Sequence, residues 1–270
     1  MKLLSGAELV GYIKERQARQ VRALRQAQHI YPRLAIVQTI DNPVIDTYVR
    51  LKSQYGDDIL VDVQTHKVTQ SEAMTAIEQL NHDETVHAII VQLPLEDISQ
   101  TDMIVNAVIA TKDVDGLGVS PAFDPATALA INWLCAGYNI ELAKHKILII
   151  GQGRLVGAPL TAMWRSSGYD VTTADRNTTD LVSLCHGATL IVAGAGSPGL
   201  VTSDMVRPDT ILIDAGTASE GGKIVGDLAP ELYERSDVTI TPQRGGVGPL
   251  TVAALFDNVI QAASRTIKQV

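Results

Sequence analysis

The sequence is poor in aromatic residues and cysteine and has no long apolar run. Only 4% of its 270 residues are aromatic, so a buried core must consist of aliphatic side chains, as in buried parallel strands and the helices that cover them. Its two cysteines, Cys135 and Cys185, are too few for a disulfide scaffold and lack the spacing of a zinc site or redox pair. No stretch approaches the length of a membrane-spanning helix, and Glu8 interrupts any apolar leader. We therefore expect a cytoplasmic protein with reduced thiols and no membrane partner.

Positive charge is also scarce. The chain has 22 Lys and Arg residues against 30 Asp and Glu residues, which gives a formal net charge of -8. This balance excludes the general electrostatic attraction that nucleic-acid binding requires. What the chain does contain is 46% hydrophobic residues, enough to bury a sizeable core, over a length that favours two domains.

Short aliphatic runs alternate with helical patterns along the chain. In the first half, strands are predicted at 33–38, 59–63 and 87–94, with helices through Tyr48 and Lys52 and over 71–81. In the second half, strands are predicted at 146–151, 171–175, 190–193, 211–214 and 238–241, and a last helix at 249–267. The loop between Asp113 and Pro125 is rich in Gly, Pro, Ser and Asp, which predicts a boundary between two lobes. The alternation predicts an α/β fold with parallel sheets.

A glycine-rich turn follows the first strand of the second half. Gly151, Gln152, Gly153 and Gly157 lie between this strand and a helix that begins near Pro159. Glycine lets the backbone approach a pyrophosphate, and the helix N-terminus presents free N–H groups to it. The spacing Gly-x-Gly-x-x-x-Gly is one residue longer than the standard dinucleotide fingerprint, so a plain strand-to-helix turn remains the alternative.

An acidic residue ends the next strand. Asp175 lies about 20 residues after the turn, where a carboxylate can accept hydrogen bonds from the adenosine ribose and would repel a 2′-phosphate. Arg176 argues the other way, because a guanidinium can pair with that phosphate. We interpret the pair as mildly favouring NAD over NADP; a simple turn at Asp175 is the alternative.

Lys52 is the candidate acid or base. Tyr48 and Lys52 are four residues apart and share a helix face, and a desolvated lysine loses enough pKa to transfer protons near neutrality. Gln92, at the carboxyl end of the third strand, is placed to orient a lysine without forming an ion pair. Asp113 and Asp115 flank Val114 in a loop without the additional ligands of a metal site, so recognition of a ring N–H by a loop carboxylate is the preferred interpretation. The alternatives are a solvated helix face for the first pair and a turn or cap role for the acids.

Five motifs together resemble one family. They occur in order as Tyr48-Val49-Arg50-x-Lys52, Val91-Gln92-Leu93-Pro94-Leu95, Lys112-Asp113-Val114-Asp115-Gly116, Gly151 with Val156-Gly157-x-Pro159, and Thr241-Pro242 followed by Gly245-Gly246-Val247-Gly248-Pro249-Leu250-Thr251. This order over nearly the whole chain resembles the FolD family, the methylenetetrahydrofolate dehydrogenase/methenyltetrahydrofolate cyclohydrolases. Five ordered motifs are far more specific than any single one.

The resemblance implies a two-lobed α/β subunit that forms a homodimer and binds folate in a cleft between the lobes. The expected lobes are 1–123 plus 250–270, a folate and catalytic lobe with a parallel sheet, and 124–249, a Rossmann-type NAD(P)-binding lobe. The implied reactions are oxidation of 5,10-methylenetetrahydrofolate with NAD(P) and hydrolysis of the methenyl product to 10-formyltetrahydrofolate. Such an oxidoreductase and hydrolase serves one-carbon metabolism and purine biosynthesis.

The resemblance also implies residue roles. Lys52 would be the acid/base group, with Gln92 tuning it and Tyr48 orienting the folate, and no metal is expected. Substrate contacts would come from Tyr48, Lys52, Val91, Gln92, Leu93, Asp115, Gly245, Gly246, Gly248, Pro249 and Thr251. Nucleotide contacts would come from Gly151, Gln152, Gly153, Gly157, Asp175, Arg176 and Thr217.

The chain departs from the family pattern at several positions. Gln152 and Gly153 stand where the family usually has Arg and Ser, Asp175 where a His is common, and Arg244 where a Pro is usual. The segment 116–123 is shorter than usual. These departures leave the dinucleotide preference and the balance of the two activities open. The alternatives are a two-lobed dehydrogenase of the shikimate or amino-acid type, and a folate- or nucleotide-binding protein without catalysis.

Overall fold

A computed structural model describes residues 2–220 and 223–267. Its strands are β1 (Lys2–Leu3), β2 (Arg33–Gln38), β3 (Asp62–Lys67), β4 (Ala88–Val91), β5 (Ile147–Ile150), β6 (Val171–Ala174), β7 (Leu190–Ala193), β8 (Ile211–Asp214), β9 (Ala218–Glu220), β10 (Lys223–Val225) and β11 (Thr239–Ile240). Its α-helices are α1 (Gly6–Ala27), α2 (Pro43–Ile59), α3 (Ala73–His82), α4 (Thr101–Val105), α5 (Ala126–Gly137), α6 (Gly157–Ser166), α7 (Leu181–Gly187) and α8 (Val247–Ser264). Short 3₁₀ segments cover Gln70–Glu72, Ile98–Gln100, Leu142–Lys144, Ser203–Met205 and Pro230–Glu234.

The chain divides into two compact units. The six-stranded unit takes its residues from Met1–Val10 and Thr127–Thr251, and the three-stranded unit from Gly11–Ala126 and Val252–Val270. Both contain parallel sheets covered by helices, so the predicted two-lobed α/β class is confirmed. No helix in the described ranges combines the length and apolar character that crossing a bilayer requires.

The three-stranded unit has a parallel sheet in the order β3-β2-β4. One buried cluster of its core is aliphatic, as the scarcity of aromatics predicted: Ala35, Ile77, Ile89 and Ile104 are fully buried members of it. Because all three strands are parallel, their carboxyl ends share one edge, where ligands of open α/β sheets bind. The β-α-β-α-β order predicted for this half is therefore observed.

The second strand of this sheet was misplaced by the sequence pattern. Ile59 is not its first residue but the last residue of α2, where its side chain is fully buried, and Leu60 ends the helix in the left-handed conformation with φ 67°. The strand itself is Asp62–Lys67, a polar segment on the edge of the sheet. The prediction of 59–63 is wrong because an edge strand exposed to solvent needs no aliphatic run, whereas a buried helix end does.

The six-stranded unit has a parallel sheet in the order β1-β11-β8-β7-β5-β6. The chain goes from β5 outward to β6 and then returns to the other side of β5 as β7, which makes the β5/β7 border a topological switch point. Fully buried aliphatic residues of β5, β7 and β8 form the centre of the sheet, and Trp164 of α6 is fully buried. The antiparallel hairpin of β9 and β10 stands apart from this sheet.

The N-terminal residues differ from the predicted lobe division. Residues 1–123 were expected to stay together, but residues 2–10 pack with the six-stranded unit because Lys2 and Leu3 pair with Thr239 and Ile240 at its edge. The other two boundaries fall between residues 126 and 127 and between 251 and 252. Met1 and residues 268–270 of the predicted lobe lie outside the described residues.

Candidate active site

Lys52 and Tyr48 lie one turn apart on α2. The helix starts where the sequence requires it: the Asn42 Oδ1 accepts a hydrogen bond from the backbone N–H of Val44 at 2.8 Å, and Pro43 occupies the first turn. Burial of its apolar residues, Val49 among them, fixes the rotation of the helix. That rotation leaves Tyr48 and Lys52 together on a partly buried face.

Gln92 holds the Lys52 ammonium group. It directly follows β4, and its Oε1 accepts a hydrogen bond from Lys52 Nζ at 2.8 Å, while its Nε2 donates to the Leu93 carbonyl at 3.0 Å. The second bond fixes the orientation of the amide, so the oxygen faces the lysine. The structure therefore brings together the three residues that the sequence proposed as a set, with a neutral partner for the cation.

Burial controls the protonation of this cluster. Desolvation lowers the pKa of Lys52 from its usual range, and the negative charge of Asp115 opposes part of that change. Burial likewise raises the pKa of Asp115, with Lys52 acting in the opposite direction. A lysine with a lowered pKa exchanges protons nearer to neutrality than an exposed one. The arrangement can thus take a proton from water or return one to a leaving nitrogen.

Asp113 shapes the loop that carries Asp115. Its buried carboxylate accepts hydrogen bonds from the backbone N–H groups of Gly116 at 3.0 Å, Leu117 at 3.4 Å and Gly118 at 2.8 Å. These bonds close the chain tightly around Asp113, so the turn role that the sequence left open for the two acids applies to Asp113. Asp115, two residues on, is the acid whose charge reaches Lys52.

The backbone of the glycine-rich turn is closely packed at Gly151 and Gly157. Gly151 has φ 89°, and a Cβ on it would lie 2.6 Å from the Ala195 Cα. A Cβ on Gly157, the first residue of α6, would lie 1.7 Å from the Gly151 carbonyl oxygen. Gly153 differs, because a Cβ there would enter open space. Val156, the N-cap residue of α6, has a hydrocarbon side chain that cannot accept hydrogen bonds from the first turn. The turn therefore fits a bound pyrophosphate group.

The other predicted nucleotide residues lie at the same sheet edge. Gln152 is exposed in the turn after β5, Asp175 and Arg176 are exposed directly after β6, and Thr217 is exposed after β8. Asp175 accepts a hydrogen bond from the Asn177 N–H at 2.9 Å, so it also has the turn role that was left open. Parallel pairing places these carboxyl strand ends on one edge, as a dinucleotide site requires.

The last predicted substrate motif belongs to the six-stranded unit. Gly245 has φ 81°, and Gly246 packs close to the Thr241 side chain. Further along, Gly248, Pro249 and Thr251 form the first turns of α8. In the lobe division predicted from sequence, Thr251 was grouped with Lys52, but the compact units separate them.

Sequence reasoning missed the loop after β7 and the residue that organises it. The N–H groups of Ala195, Gly196 and Ser197 all donate to the carboxylate of Asp227, which is fully buried. The run of Gly, Ala, Ser and Pro after an aliphatic strand marks the loop in the sequence. Nothing in the sequence links it to Asp227, about 30 residues away. Within the described ranges, no cluster of three or more His, Cys, Asp or Glu side chains has an arrangement suited to a metal ion.

One unit has a parallel sheet with a glycine turn at its switch point, and the other has a desolvated lysine. Together these features define the class of dinucleotide-dependent enzymes with separate catalytic and nucleotide-binding domains. Residues 4–115 match the model of the tetrahydrofolate dehydrogenase/cyclohydrolase catalytic domain, and residues 125–267 that of the corresponding NAD(P)-binding domain. The chain belongs to the tetrahydrofolate dehydrogenase/cyclohydrolase family, which confirms the resemblance to FolD proteins.

Individual members of the family are similar to this chain over nearly its full length. The bifunctional protein FolD of Campylobacter jejuni is 36% identical over 99% of this chain and 100% of the relative. A crystal structure of the bifunctional FolD enzyme from Campylobacter jejuni superposes with a TM-score of 0.91 at 34% identity, covering 98% of this chain and 99% of that chain. The Trypanosoma brucei enzyme, solved with NADP and an inhibitor, also reaches 0.91 at 25% identity, covering 99% and 98% of the two chains.

Proposed function

We propose that the chain oxidises 5,10-methylenetetrahydrofolate to the 5,10-methenyl form with NAD(P) and hydrolyses that product to 10-formyltetrahydrofolate. The observation that carries the proposal is the Lys52 to Gln92 hydrogen bond of 2.8 Å in a chain with both domains of the family. The bond supports proton transfer by a lysine whose hydrogen-bond partner is a neutral amide. The matched NAD(P)-binding domain supports the redox step.

The oxidation asks the protein mainly for positioning. When bound, the dinucleotide supplies the acceptor for the hydride that leaves the methylene carbon. We propose that Gly151, Gln152, Gly153 and Gly157 hold its pyrophosphate. Asp175, Arg176 and Thr217 would contact its ribose and nicotinamide ends from the neighbouring strand ends.

The hydrolysis needs proton transfer. In our proposal, water adds to the electrophilic methenyl carbon while the uncharged Lys52 amine accepts a proton from it. The carbon–nitrogen bond then opens, that nitrogen takes up a proton and the carbon becomes the formyl group, with one proton released overall. Gln92 holds the lysine in place, and Tyr48, with its phenol partly buried, orients the folate.

We also propose the remaining folate contacts. Asp115 would hold the pterin ring, supported by its partly buried position and by the interaction of its charge with Lys52. The other contacts would come from Val91 and Leu93 around Gln92 and from Gly245, Gly246, Gly248, Pro249 and Thr251. We further propose that the protein acts as a cytoplasmic homodimer in purine biosynthesis. The buried free thiols of both cysteines are compatible with a reducing compartment.

An absorbance assay tests the two activities separately. Methylenetetrahydrofolate oxidation is followed with NAD and then with NADP, and methenyl loss is followed without any dinucleotide. Both reactions are expected. Absence of both would refute the proposal, and tight binding of folate and dinucleotide without turnover would support the binding-protein alternative instead.

NAD preference is a first prediction. We expect kcat/KM for oxidation to be about tenfold higher with NAD than with NADP, the ratio that roughly 1.4 kcal/mol of repulsion between Asp175 and a 2′-phosphate would produce. Asp175→Asn keeps the turn's hydrogen-bond acceptor and should bring the ratio close to one. The control is Asp180→Asn, which changes an exposed carboxylate at the start of α7. A strong NADP preference in the parent would instead assign the phosphate to Arg176.

Gln92→Glu gives a pH prediction. A carboxylate beside the Lys52 ammonium stabilises the charged form, so the pKa of Lys52 rises. Less of the uncharged amine is then present near neutrality. We expect the ascending limb of the hydrolysis profile to move up by about one pH unit and the rate at pH 7 to fall about tenfold.

Gln64→Glu is the control for adding a negative charge. Gln64 lies on the edge strand β3, and β2 separates β3 from β4, the strand that Gln92 follows. This variant should leave the profile of methenyl hydrolysis in place. An unshifted profile in Gln92→Glu would mean that the group titrating in hydrolysis is not Lys52.

A further inference from the structure

We propose that Asp227 is a positioning residue for the dinucleotide, acting through the loop after β7 (residues 194–199). This inference rests on the proposed oxidation and adds a residue to it. Asp227 is not in the glycine-rich turn and comes directly after Gly226, beyond the hairpin of β9 and β10. What connects it with the nucleotide site is a set of backbone hydrogen bonds.

One carboxylate collects three successive backbone donors. Asp227 Oδ2 accepts from the N–H of Ala195 at 2.5 Å and of Gly196 at 3.1 Å, and Oδ1 accepts from the N–H of Ser197 at 2.7 Å. Gly196 has φ 67°, a left-handed turn that points consecutive N–H groups to the same side. The side chain of Asp227 is fully buried, so water does not compete for these donors. This one carboxylate therefore helps to fix the conformation of the loop.

The carboxylate is itself held in place from behind. The Asp227 N–H donates to Asp214 Oδ1 at 3.0 Å, and its carbonyl accepts from the Val201 N–H at 3.1 Å. Asp214, at the end of β8, also accepts from the Tyr233 hydroxyl at 2.9 Å. Burial and the neighbouring charge of Asp214 raise the pKa of Asp227, and the three backbone donors oppose this change.

The loop that Asp227 holds packs against the glycine-rich turn at the carboxyl ends of β5 and β7. The loop begins at Gly194, directly after β7. The Gly194 N–H donates to the carbonyl of Ile150, the last residue of β5, at 2.8 Å. The loop then packs on the glycine-rich turn, because a Cβ on Gly151 would lie 2.6 Å from both Ala195 Cα and the Gly194 carbonyl oxygen. A Cβ on Gly194 would in turn lie 2.9 Å from Val156 Cγ1. A shift of the loop therefore moves or opens the surface on which a dinucleotide binds at the ends of β5 and β7.

Asn in place of Asp tests the charge with little change of shape. The Asn amide can accept through one oxygen only, and its NH₂ group faces an N–H donor. We expect Asp227→Asn to raise both KM and the dissociation constant for the dinucleotide about tenfold or more, with a smaller change in kcat. Methenyl hydrolysis, which uses no dinucleotide, should stay within about twofold of the parent.

Two further variants separate positioning from general loosening. Asp237→Asn removes a carboxylate that pairs with Arg235. Asp237 precedes β11 and so lies at the amino ends of the parallel strands, whereas the nucleotide residues lie at their carboxyl ends. This variant should leave the dinucleotide KM unchanged even if the melting temperature falls. Asp227→Glu keeps the charge but moves it by one methylene, and should give an intermediate KM. It also serves as the test if the Asn variant does not fold.

The outcomes are distinguishable. A purely structural role predicts a lower melting temperature with equal losses of oxidation and hydrolysis, and that result would overturn the inference. An unchanged dinucleotide KM in both Asp227 variants would overturn it as well. If the parent protein has neither activity, the proposed function fails, whereas an active parent with an insensitive Asp227 refutes only the positioning role.

Discussion

Replacing Lys52 with Met is expected to slow methenyl hydrolysis about a thousandfold, while methylene oxidation stays measurable. Met has nearly the shape of the lysine stem, so the α2 face and the Gln92 amide keep their packing. It has no nitrogen to accept a proton from water. General acid–base groups contribute factors of about 10² to 10⁴, and the lowered pKa of Lys52 indicates a group in the effective part of that range.

The contrast between the two reactions is the informative part of this experiment. Hydride transfer depends on positioning and involves no proton transfer at Lys52, so oxidation should fall far less than hydrolysis. Lys67→Met is the matched control, because the ion pairs of Lys67 with Asp41 and Asp46 are exposed, and it should leave both rates near the parent value. Parental hydrolysis in Lys52→Met would show that another group transfers the proton. Equal losses of both rates would assign Lys52 to folate binding.

The sequence was informative about this cluster because local rules determine most of it. A spacing of four residues places Tyr48 and Lys52 on one helix face whatever the fold, and the end of an aliphatic strand places Gln92 at the ligand-binding edge. Which atoms meet is a matter of packing. The bond from Lys52 to Gln92 and the burial that lowers the pKa of Lys52 depend on how α2 packs against the sheet.

Hydrophobic patterns along the chain did not predict contacts between residues far apart in sequence. β1 is only Lys2–Leu3 and is a strand solely because β11 is available to pair with it. Most of the polar strand β3 has no aliphatic run, and it forms a strand by pairing with β2. The proposed positioning role of Asp227 was missed for the same reason, since it depends on backbone donors about 30 residues away. Long-range partners of this kind leave no periodic signal in the chain.

Replacing Gly157 with Ala is expected to reduce kcat/KM for oxidation about a hundredfold, the cost of moving reacting groups by roughly 1 Å. The added methyl group would lie 1.7 Å from the Gly151 carbonyl oxygen, far inside contact distance, and that oxygen belongs to backbone that cannot rotate away. Either α6 or the turn must move. The turn is also held by the loop after β7, because Gly151 packs against Ala195. We expect the free energy of unfolding to fall by about 3 kcal/mol as well.

Gly187→Ala separates this steric effect from a general effect of alanine. Gly187 is the last residue of α7 in the same unit, and a Cβ there would meet nothing within 4 Å. It should therefore leave oxidation and the free energy of unfolding nearly unchanged. In Gly157→Ala, dinucleotide titration should show the loss in affinity, and methenyl hydrolysis should report whether the chain is still folded, because that reaction needs no dinucleotide. Normal dinucleotide affinity in Gly157→Ala would mean that the start of α6 yields without disturbing the site. The pyrophosphate would then have to be held by the exposed part of the turn around Gly153 and not by the close-packed junction of Gly151 and Gly157.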